Sequence, residues 1–577
     1  MKANGITLKD ILDGQYEYRV PLFQRPYSWQ KSNWKSLWED LEVLYEDDSE
    51  SHFLGSFVTQ DIQSTLGSVS SYIVIDGQQR ITTISILLAA LRDFADTNEY
   101  KEKFDDAKGT VAQIHDLLTN RYSEKDSHIK VLPTQIDREA YSNIILRKEI
   151  INCRGSIYDS YRFFYAEIKR FFKEKDVNIK TFQRNMQKKI ELVHISLGKS
   201  DNPSLIYESL NYKGQPLSQA DLIRNYFFME LPEEIHDQVY EDYWLSLERR
   251  FKKPENAGDN YLVEMTNAFW YYLRKDGKAV NYKATYSTLK EKVEESKPRD
   301  KSLVHEFILG EFKEMCKFSE YYLYINFPQE EPNPKLRQWF KSWSQLNYSS
   351  VYPFVLNIYD DCMQKKIELK EMERILNILE SFLIRRWFVD IASGGLNKTF
   401  IALYPKLQKQ GDIVDSNLLR KVLREGERIK SWPSDAAFKK AIVERPIYAE
   451  TKDNRRRIKF VFQKIQEKIS KEIVDFSNLN IEHVLPQTLT DTWKEVLGDN
   501  PQEKQKQWGD TLGNLTMVTD GSNSSMSNKE FTEKLEYLKC SNLAINSYFK
   551  DKNSWNISDI QERAEYLANL ALKIWPR

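Results

Sequence analysis

Towards the C-terminal end of the sequence runs Asn480-Ile481-Glu482-His483-Val484-Leu485-Pro486-Gln487, followed by Gly513-Asn514-Leu515-Thr516 and then by Asn523. The first segment places a histidine beside an acid, at the end of a short apolar run that a proline closes. An imidazole held in this way can accept a proton near neutral pH, and carboxylate and amide oxygens are ligands for hard divalent cations. The residue types therefore suit hydrolysis of a phosphodiester.

The local pattern around these residues predicts two short strands and a helix. The first strand begins at Ile481 and ends at Pro486, and the second covers residues 515–518. Ser527 and Glu530 have the spacing of a capping box, which predicts a helix that runs through Phe531, Leu535 and Leu538.

This arrangement resembles the HNH, or His-metal-finger, nucleases, and the nine-residue spacing from Asn514 to Asn523 is similar to that in the HNH domain of the CRISPR effector nuclease. The resemblance implies a catalytic set of His483, as general base, and Asn514, which holds the loop. It also implies that Glu482 and Asn523 bind Mg²⁺ or Mn²⁺, with Asn528 as an alternative ligand. Each residue alone also fits a structural role, but the four elements in this order favour the nuclease.

A second motif lies in the N-terminal region, where an apolar strand runs through a glycine turn into an apolar helix, in Tyr72-Ile73-Val74-Ile75-Asp76-Gly77-Gln78-Gln79-Arg80-Ile81-Thr82-Thr83. Such a turn brings backbone N–H groups and the positive end of the helix to one point, which favours an anion. Arg80 adds a cation suited to phosphate. A tight turn that only caps a buried helix explains the pattern equally well.

Four N-terminal blocks together resemble the GmrSD family of type IV restriction enzymes: V-P-x-F-Q-R-P-Y-x-W at 20–29, F-x-G-S at 53–56, I-D-G-Q-Q-R at 75–80, and the segment 206–225, in which Ser218 and Asp221 predict a helix start. The resemblance implies a ParB-like domain that binds or hydrolyses an NTP (GTP or ATP). It places the NTP site at Gln24, Arg25, Asp76, Gly77, Gln78, Gln79, Arg80, Asn211 and Arg224.

A basic segment precedes the histidine motif, at residues 452–471. A basic helix beside a nuclease motif suits a DNA backbone, although a charge run is more often only a solvated face. The sequence therefore predicts DNA-backbone contacts from Arg455, Arg456, Arg457 and, on the helix after the second strand, Lys534.

Composition limits the remaining choices. A chain of 577 residues is too long for a single hydrophobic core. Because the formal net charge is only −1, DNA binding would need a local patch of basic residues. Neither a signal sequence nor a membrane-spanning apolar run is apparent, and the four scattered cysteines fit a cytoplasmic protein: Cys153, Cys316, Cys362 and Cys540. We predict a predominantly helical α+β multidomain protein, with a ParB-like α/β domain at 1–229, helical linker domain at 230–440 and ββα-metal (HNH) nuclease domain at 441–577.

These features together predict a modification-dependent restriction endonuclease. It would cleave or nick modified double-stranded phage DNA, under the control of NTP binding or hydrolysis in the N-terminal domain, and need no membrane. Two alternatives stay open at this point: a nucleotide-sensing DNA-binding regulator or toxin-like protein, and a nuclease that acts on RNA. The type of DNA modification, the preferred NTP and the choice between monomer and homodimer are equally open.

Overall fold

The computed structural model describes residues 2–577 except 22–23, 48–49, 63–68, 104–106, 121–128, 149–152, 176–177, 199–200, 202–205, 207–217, 428–430 and 473. Contacts between residues divide the chain into two units. Unit 1 comprises Met1–Ser246 and Leu289–Phe312, and unit 2 comprises Leu247–Thr288 and Lys313–Arg577. The helical middle and the C-terminal region thus belong largely to one unit, and the division into three domains stays a prediction.

Unit 1 contains a mixed six-stranded sheet with the strand order β1-β6-β3-β4-β2-β5. The pairs β1–β6 and β3–β4 are antiparallel, whereas β6–β3, β4–β2 and β2–β5 are parallel. The strands are β1 (Lys2–Thr7), β2 (Tyr16–Arg19), β3 (His52–Asp61), β4 (Ser70–Asp76), β5 (Val131–Leu132) and β6 (Ile190–Leu197).

Ten helices of the described chain lie wholly in unit 1 and surround this sheet. They are α1 (Leu8–Leu12), α2 (Lys31–Glu46), α3 (Gln78–Ala95), α4 (Asn98–Lys103), α5 (Ala107–Leu118), α6 (Gln135–Ile145), α7 (Ser156–Glu174), α8 (Ile179–Lys189), α9 (Gln219–Glu230) and α10 (His236–Val239).

The two faces of this sheet are covered by different helices. Because successive side chains on a strand point to opposite faces, Phe57 and Val74 join the large core that contains α3. Their neighbours Val58 and Ile75 join a second, smaller core against which Met229 of α9 packs. Helix α3 is buried along nearly its whole length, which matches its apolar sequence.

Unit 2 is mostly helical, and three helices run across its boundaries along the chain: α11 (Ser246–Lys252), α13 (Thr285–Ser296) and α14 (Val304–Asn326). Its other helices are α12 (Tyr261–Arg274), α15 (Pro334–Trp343), α16 (Tyr352–Met363), α17 (Leu369–Phe388), α18 (Leu396–Gln408), α19 (Ser416–Arg424), α20 (Asp435–Glu444), α21 (Lys452–Ile469), α22 (Asp491–Leu497), α23 (Pro501–Trp508), α24 (Asp520–Met526), α25 (Phe531–Lys539) and α26 (Ile557–Ile574).

One antiparallel pair of strands stands among these helices, β7 (Leu479–His483) and β8 (Leu515–Thr519). The prediction of a predominantly helical α+β protein is therefore confirmed. The ParB-like fold of the N-terminal region stays a prediction. No helix in the described ranges is both long and apolar enough to cross a membrane.

Candidate functional site

The predicted histidine motif lies on an antiparallel pair of strands whose second member is followed directly by a helix. Strand β7 pairs with β8 so that Glu482 lies opposite Thr516 and His483 lies opposite Leu515. Helix α24 begins at Asp520, immediately after β8, and carries Asn523. Both predicted strands are therefore present, although β7 begins two residues before Ile481 and ends at His483, before Pro486. The structure adds a short helix that the sequence pattern did not reveal.

The start of the next helix differs from the prediction. Ser527 has a left-handed φ of 33° and ends α24, and its N–H donates to the carbonyl of Asn523 at 3.1 Å. Helix α25 then begins at Phe531 with Glu530 as its N-cap. The capping box predicted from Ser527 and Glu530 is therefore wrong, because the serine finishes one helix instead of opening the next.

His483 forms a hydrogen-bonded pair with Asp510. The distance between Nε2 of His483 and Oδ1 of Asp510 is 3.0 Å, and the imidazole is 9% exposed. The ring of Tyr448 packs against the imidazole edge to face, with the ring centroids 4.6 Å apart. Burial raises the pKa of Tyr448, and the nearby Arg455 guanidinium opposes the rise. The imidazole thus has a fixed plane and one fixed polar partner.

The sequence-based prediction did not include Asp510 among the site residues. It lies four residues before Asn514, in a turn rich in glycine, and only the fold brings it to His483 across 27 positions of sequence. The signal that could have identified Asp510 is an acidic residue just before the Gly513-Asn514 motif. Its side chain is about one-third exposed, so Asp510 lies at the rim of the site while His483 lies below it.

Asn514 is fully buried and uses its amide group four times within the protein. Its Oδ1 accepts from the N–H of Leu485 at 2.7 Å and from the indole of Trp555 at 3.0 Å. Its Nδ2 donates to the carbonyls of Leu485 and Gly509, both at 2.8 Å. The predicted role of Asn514 in holding the loop fits these bonds. Its place in the catalytic set needs correction, because all four hydrogen bonds of its amide are made within the protein. Asn514 positions the segment after His483 against the residue before Asp510.

Glu482 is buried and bonded to Lys534 of α25. The ammonium donates to Oε1 of Glu482 at 2.7 Å and to the carbonyl of His483 at 2.7 Å, and Lys534 is 0% exposed. Burial raises the pKa of Glu482 and lowers that of Lys534, and the attraction between the two groups opposes both changes. The predicted DNA-backbone contact by Lys534 is wrong, because its charge faces inward.

The start of β8 is held by Arg563 of α26. This fully buried guanidinium donates to the carbonyls of Gly513 at 2.8 Å and Leu515 at 2.5 Å. Burial lowers the pKa of Arg563 to about 9. A Cβ on Gly513 would stand 2.2 Å from the carbonyl oxygen of Ile560, so only glycine allows α26 to approach this turn. Sequence reasoning missed Arg563, because its partners are backbone atoms about fifty residues away.

The remaining predicted metal ligands lie on or after α24. Asn523 is partly buried on that helix, whereas Asn528 is exposed beyond it. The described residues include no group of three or more His, Cys, Asp or Glu side chains that could hold a metal ion. The ligand roles of Glu482 and Asn523 stay predictions.

The three predicted arginines of the basic segment lie on α21 but differ in environment. Arg455 and Arg456 are exposed, as a contact to a DNA backbone requires. Arg457 is half-buried, its Nε donates to the carbonyl of Leu346 at 3.5 Å, and its guanidinium lies over the ring of Tyr348. Arg457 thus has a local packing role in addition to the predicted one.

The predicted NTP motif has the expected strand, glycine turn and helix. Gly77 has a φ of 98°, and a Cβ there would stand 2.9 Å from the ring of Phe57, so this turn requires glycine. One Nη of Arg80 donates to Oδ2 of Asp76 at 2.8 Å and to the carbonyl of Ser56 at 2.6 Å.

The other residues of the predicted NTP site lie in different environments. Arg25, Gln78 and Gln79 line one small cavity. Gln24 donates to the carbonyls of Val74 and Ile75, and Asn211 lies outside the described residues.

Arg224 is 1% exposed and bonded to Asp221 at 2.8 Å, near the start of α9 that Ser218 caps as predicted. This buried pair accounts for Arg224 without a ligand, and its NTP-binding role stays a prediction.

Comparison with protein families places both halves of the chain. The model of the GmrSD restriction endonuclease N-terminal domain matches residues 8–228, and the model of the C-terminal domain of GmrSD restriction endonucleases matches residues 432–570. The chain belongs to the GmrSD restriction endonuclease family. The resemblance seen in the sequence is thereby confirmed. The GmrSD C-terminal match contains His483 and Asp510, and the N-terminal match contains Asp76 and Arg80. A search of curated proteins gives no match.

Proposed function

We propose that this GmrSD-family protein is a type IV restriction endonuclease that cleaves modified phage DNA, with a His-metal-finger site at His483. The observation that supports the proposal most directly is the pair of His483 and Asp510, in which His483 ends β7 of an antiparallel strand pair and β8 leads into a helix. An oriented imidazole of this kind is a general base, which phosphodiester hydrolysis needs.

In this proposal the two ring nitrogens of His483 have different roles. An ionised carboxylate can only accept hydrogen bonds, so the proton of the neutral imidazole lies on Nε2 and points at Asp510. The lone pair is then on Nδ1, which takes a proton from water. The resulting hydroxide attacks phosphorus, the P–O bond to the leaving oxygen breaks, and Asp510 stabilises the imidazolium that forms.

The donor atoms suit Mg²⁺ or Mn²⁺, which favour carboxylate and amide oxygens and keep several waters. Glu482 and Asn523 would hold the cation, and Glu482 would share its carboxylate with Lys534. When bound, such a cation stabilises negative charge on the phosphorane and on the leaving oxygen. His483 supplies the base and Asp510 orients it, and the strand pair β7–β8 carries the site.

Replacing Asp510 by asparagine is expected to lower kcat for DNA cleavage about 100-fold, with KM nearly unchanged. The amide lets the imidazole turn or change tautomer and leaves the imidazolium without its counter-charge. The matched control is Asp499→Asn, which changes an exposed acid in the same region. Steady-state kinetics on one DNA substrate measure both constants. A change in KM alone would assign Asp510 to DNA binding instead.

Plasmid and phage DNAs that carry defined modifications, incubated with Mg²⁺ or Mn²⁺ and with each NTP, test the whole proposal. We expect cleavage of modified DNA only, abolished by a chelator. Cleavage of RNA in parallel reactions would favour the RNA nuclease. Binding of modified DNA without any cleavage would favour the regulatory or toxin-like alternative.

We also propose that the N-terminal motif binds an NTP and controls cleavage. In the described part of unit 1, several buried polar atoms have no hydrogen-bond partner: Nε of Arg25, Nε of Arg80, Oε1 of Gln24 and both amide atoms of Asn225. Unpaired buried polar groups cost free energy and mark sites where a ligand can complete the bonding. The two guanidinium groups suit phosphate oxygens.

Replacing Arg80 by alanine is expected to weaken NTP binding about 10- to 100-fold, because a hydrogen bond to a charged group contributes about 1.5–3 kcal/mol. Calorimetric titration measures the affinity, and Arg162→Ala removes an exposed arginine of the same unit as the control. Modified DNA should change NTP affinity by the factor by which NTP changes DNA affinity. If Arg80→Ala binds NTP as well as the parent does, the motif is only a structural turn and not an NTP site.

A further inference from the structure

A large groove lies within unit 2, beside α21 and separate from the pair of His483 and Asp510. Its walls are α15, α21 and the segment that follows α21, and its volume is about 1130 Å³. Pockets for small ligands usually have about 300–1,000 Å³. The groove therefore has room for part of a polymer.

Among the charged side chains that line this groove, six are cationic and three are acidic. Two of the acids are already bonded locally. Glu467 accepts from Gln463 at 2.9 Å and pairs with Lys464 of the groove at 3.5 Å, and Asp475 accepts from the N–H of Ser477 at 2.9 Å. The cations that line the groove are Lys335, Lys341, Arg456, Lys459, Lys464 and Lys471.

The groove also contains hydrogen-bond donors that lack an acceptor. Gln466 is 1% exposed, and its Oε1 accepts from the N–H of Ile545 at 3.1 Å, but its Nε2 has no partner among the described residues. The hydroxyl of Ser342, also on the groove wall, is likewise without a partner. Cations and unused donors together favour a ligand rich in acceptor oxygens.

Helix α21 connects the groove to the catalytic pair. Arg456 and Lys459 face the groove, and burial lowers the pKa of Lys459 while Asp520 of α24 opposes that change. One position away, Arg455 acts on Tyr448, the residue whose ring packs on His483. The first turns of α21 thus carry cations that line the groove and, at Arg455, a cation beside the residue that packs on His483.

We propose that this groove binds the sugar–phosphate backbone of the DNA strand that is cut at His483, several nucleotides away from the cut. The inference rests on the proposed function, since it assigns to the same substrate a second contact surface. Phosphates along a strand present a repeated row of oxygens, which matches a row of lysine and arginine side chains. Recognition of this type is independent of base sequence and of base modification.

The test is the salt dependence of DNA binding by a charge-reversed groove. Lys335→Glu combined with Lys471→Glu changes two exposed lysines on opposite walls, in the full chain and in a His483→Ala background so that the DNA survives. The matched control is Lys370→Glu combined with Lys409→Glu, two exposed lysines of unit 2 outside the groove. Fluorescence anisotropy with an unmodified duplex of about 20 base pairs measures the affinity at several salt concentrations.

We expect the groove variant to bind about 10-fold more weakly or worse at low salt, and its plot of log K against log salt to be shallower by about 1.8, since each lost phosphate contact removes about 0.9. The control should match the parent. Equal loss in both variants, or parent-like binding by the groove variant, would overturn the groove assignment. Cleavage of plasmid by the unaltered protein is scored separately, so the nuclease proposal can stand or fall without the groove.

Discussion

His483→Ala is expected to lower the rate of DNA cleavage by about 10³-fold or more, because the variant has no group that can take the proton from the attacking water. The fold should persist. Asn514 still holds the surrounding loop through its bonds to Leu485 and Gly509, and the lost aromatic contact with Tyr448 contributes about 1 kcal/mol. Cleavage of a modified plasmid under single-turnover conditions measures the rate, and thermal melting checks the fold.

The control for this experiment is His305→Ala, which removes an exposed histidine of α14. It should cut like the parent. NTP binding should be unaltered in both variants, because the changes lie outside the N-terminal motif. Normal cleavage by folded His483→Ala protein would show that this imidazole is not the base and would remove the main support for the proposed mechanism.

Lys534→Met is expected to destabilise unit 2 by about 3–5 kcal/mol, because it leaves the buried Glu482 carboxylate without a counter-charge. The loss should be smaller at acid pH. Burial already raises the pKa of Glu482, so the folded state holds a proton more readily than the unfolded state, and lowering the pH favours the folded form of the variant. Urea unfolding at several pH values measures both effects.

The control is Lys539→Met, which removes an exposed lysine at the end of the same helix. A second variant, Lys534→Met with Glu482→Gln, should recover much of the lost stability, since it removes the buried charge together with its partner. A loss in Lys534→Met that the double variant does not reduce would show that packing, and not the ion pair, is the cause.

Local sequence signals predicted both strands beside the histidine motif, with the bounds of the first displaced by two to three residues. The apolar run before His483 and the run after Asn514 became β7 and β8. What the sequence could not show was the inward turn of Lys534 and the approach of Asp510, because both depend on packing between segments many residues apart. A charged residue on a predicted helix is assigned to solvent by default, and here a buried acid on a neighbouring strand reverses that assignment.

The N-terminal region shows the same limit on a larger scale. The strand, glycine turn and helix around Gly77 follow from neighbouring residues and were predicted. The order of the sheet was not, because β6 is inserted between β1 and β3 although more than a hundred residues separate it from both. Pairing over such distances leaves no periodic signal in the sequence, since either edge of a strand can accept a neighbour.

The contact between Arg563 and the turn at Gly513 can form only late in the synthesis of the chain. Protein synthesis proceeds from the N-terminus, so His483 and both strands emerge from the ribosome well before α26 does. Until α26 arrives, the carbonyls of Gly513 and Leu515 lack the guanidinium that fixes them in the folded protein. In a nascent chain the turn before β8 would therefore stay incompletely bonded until the later helix has folded against it.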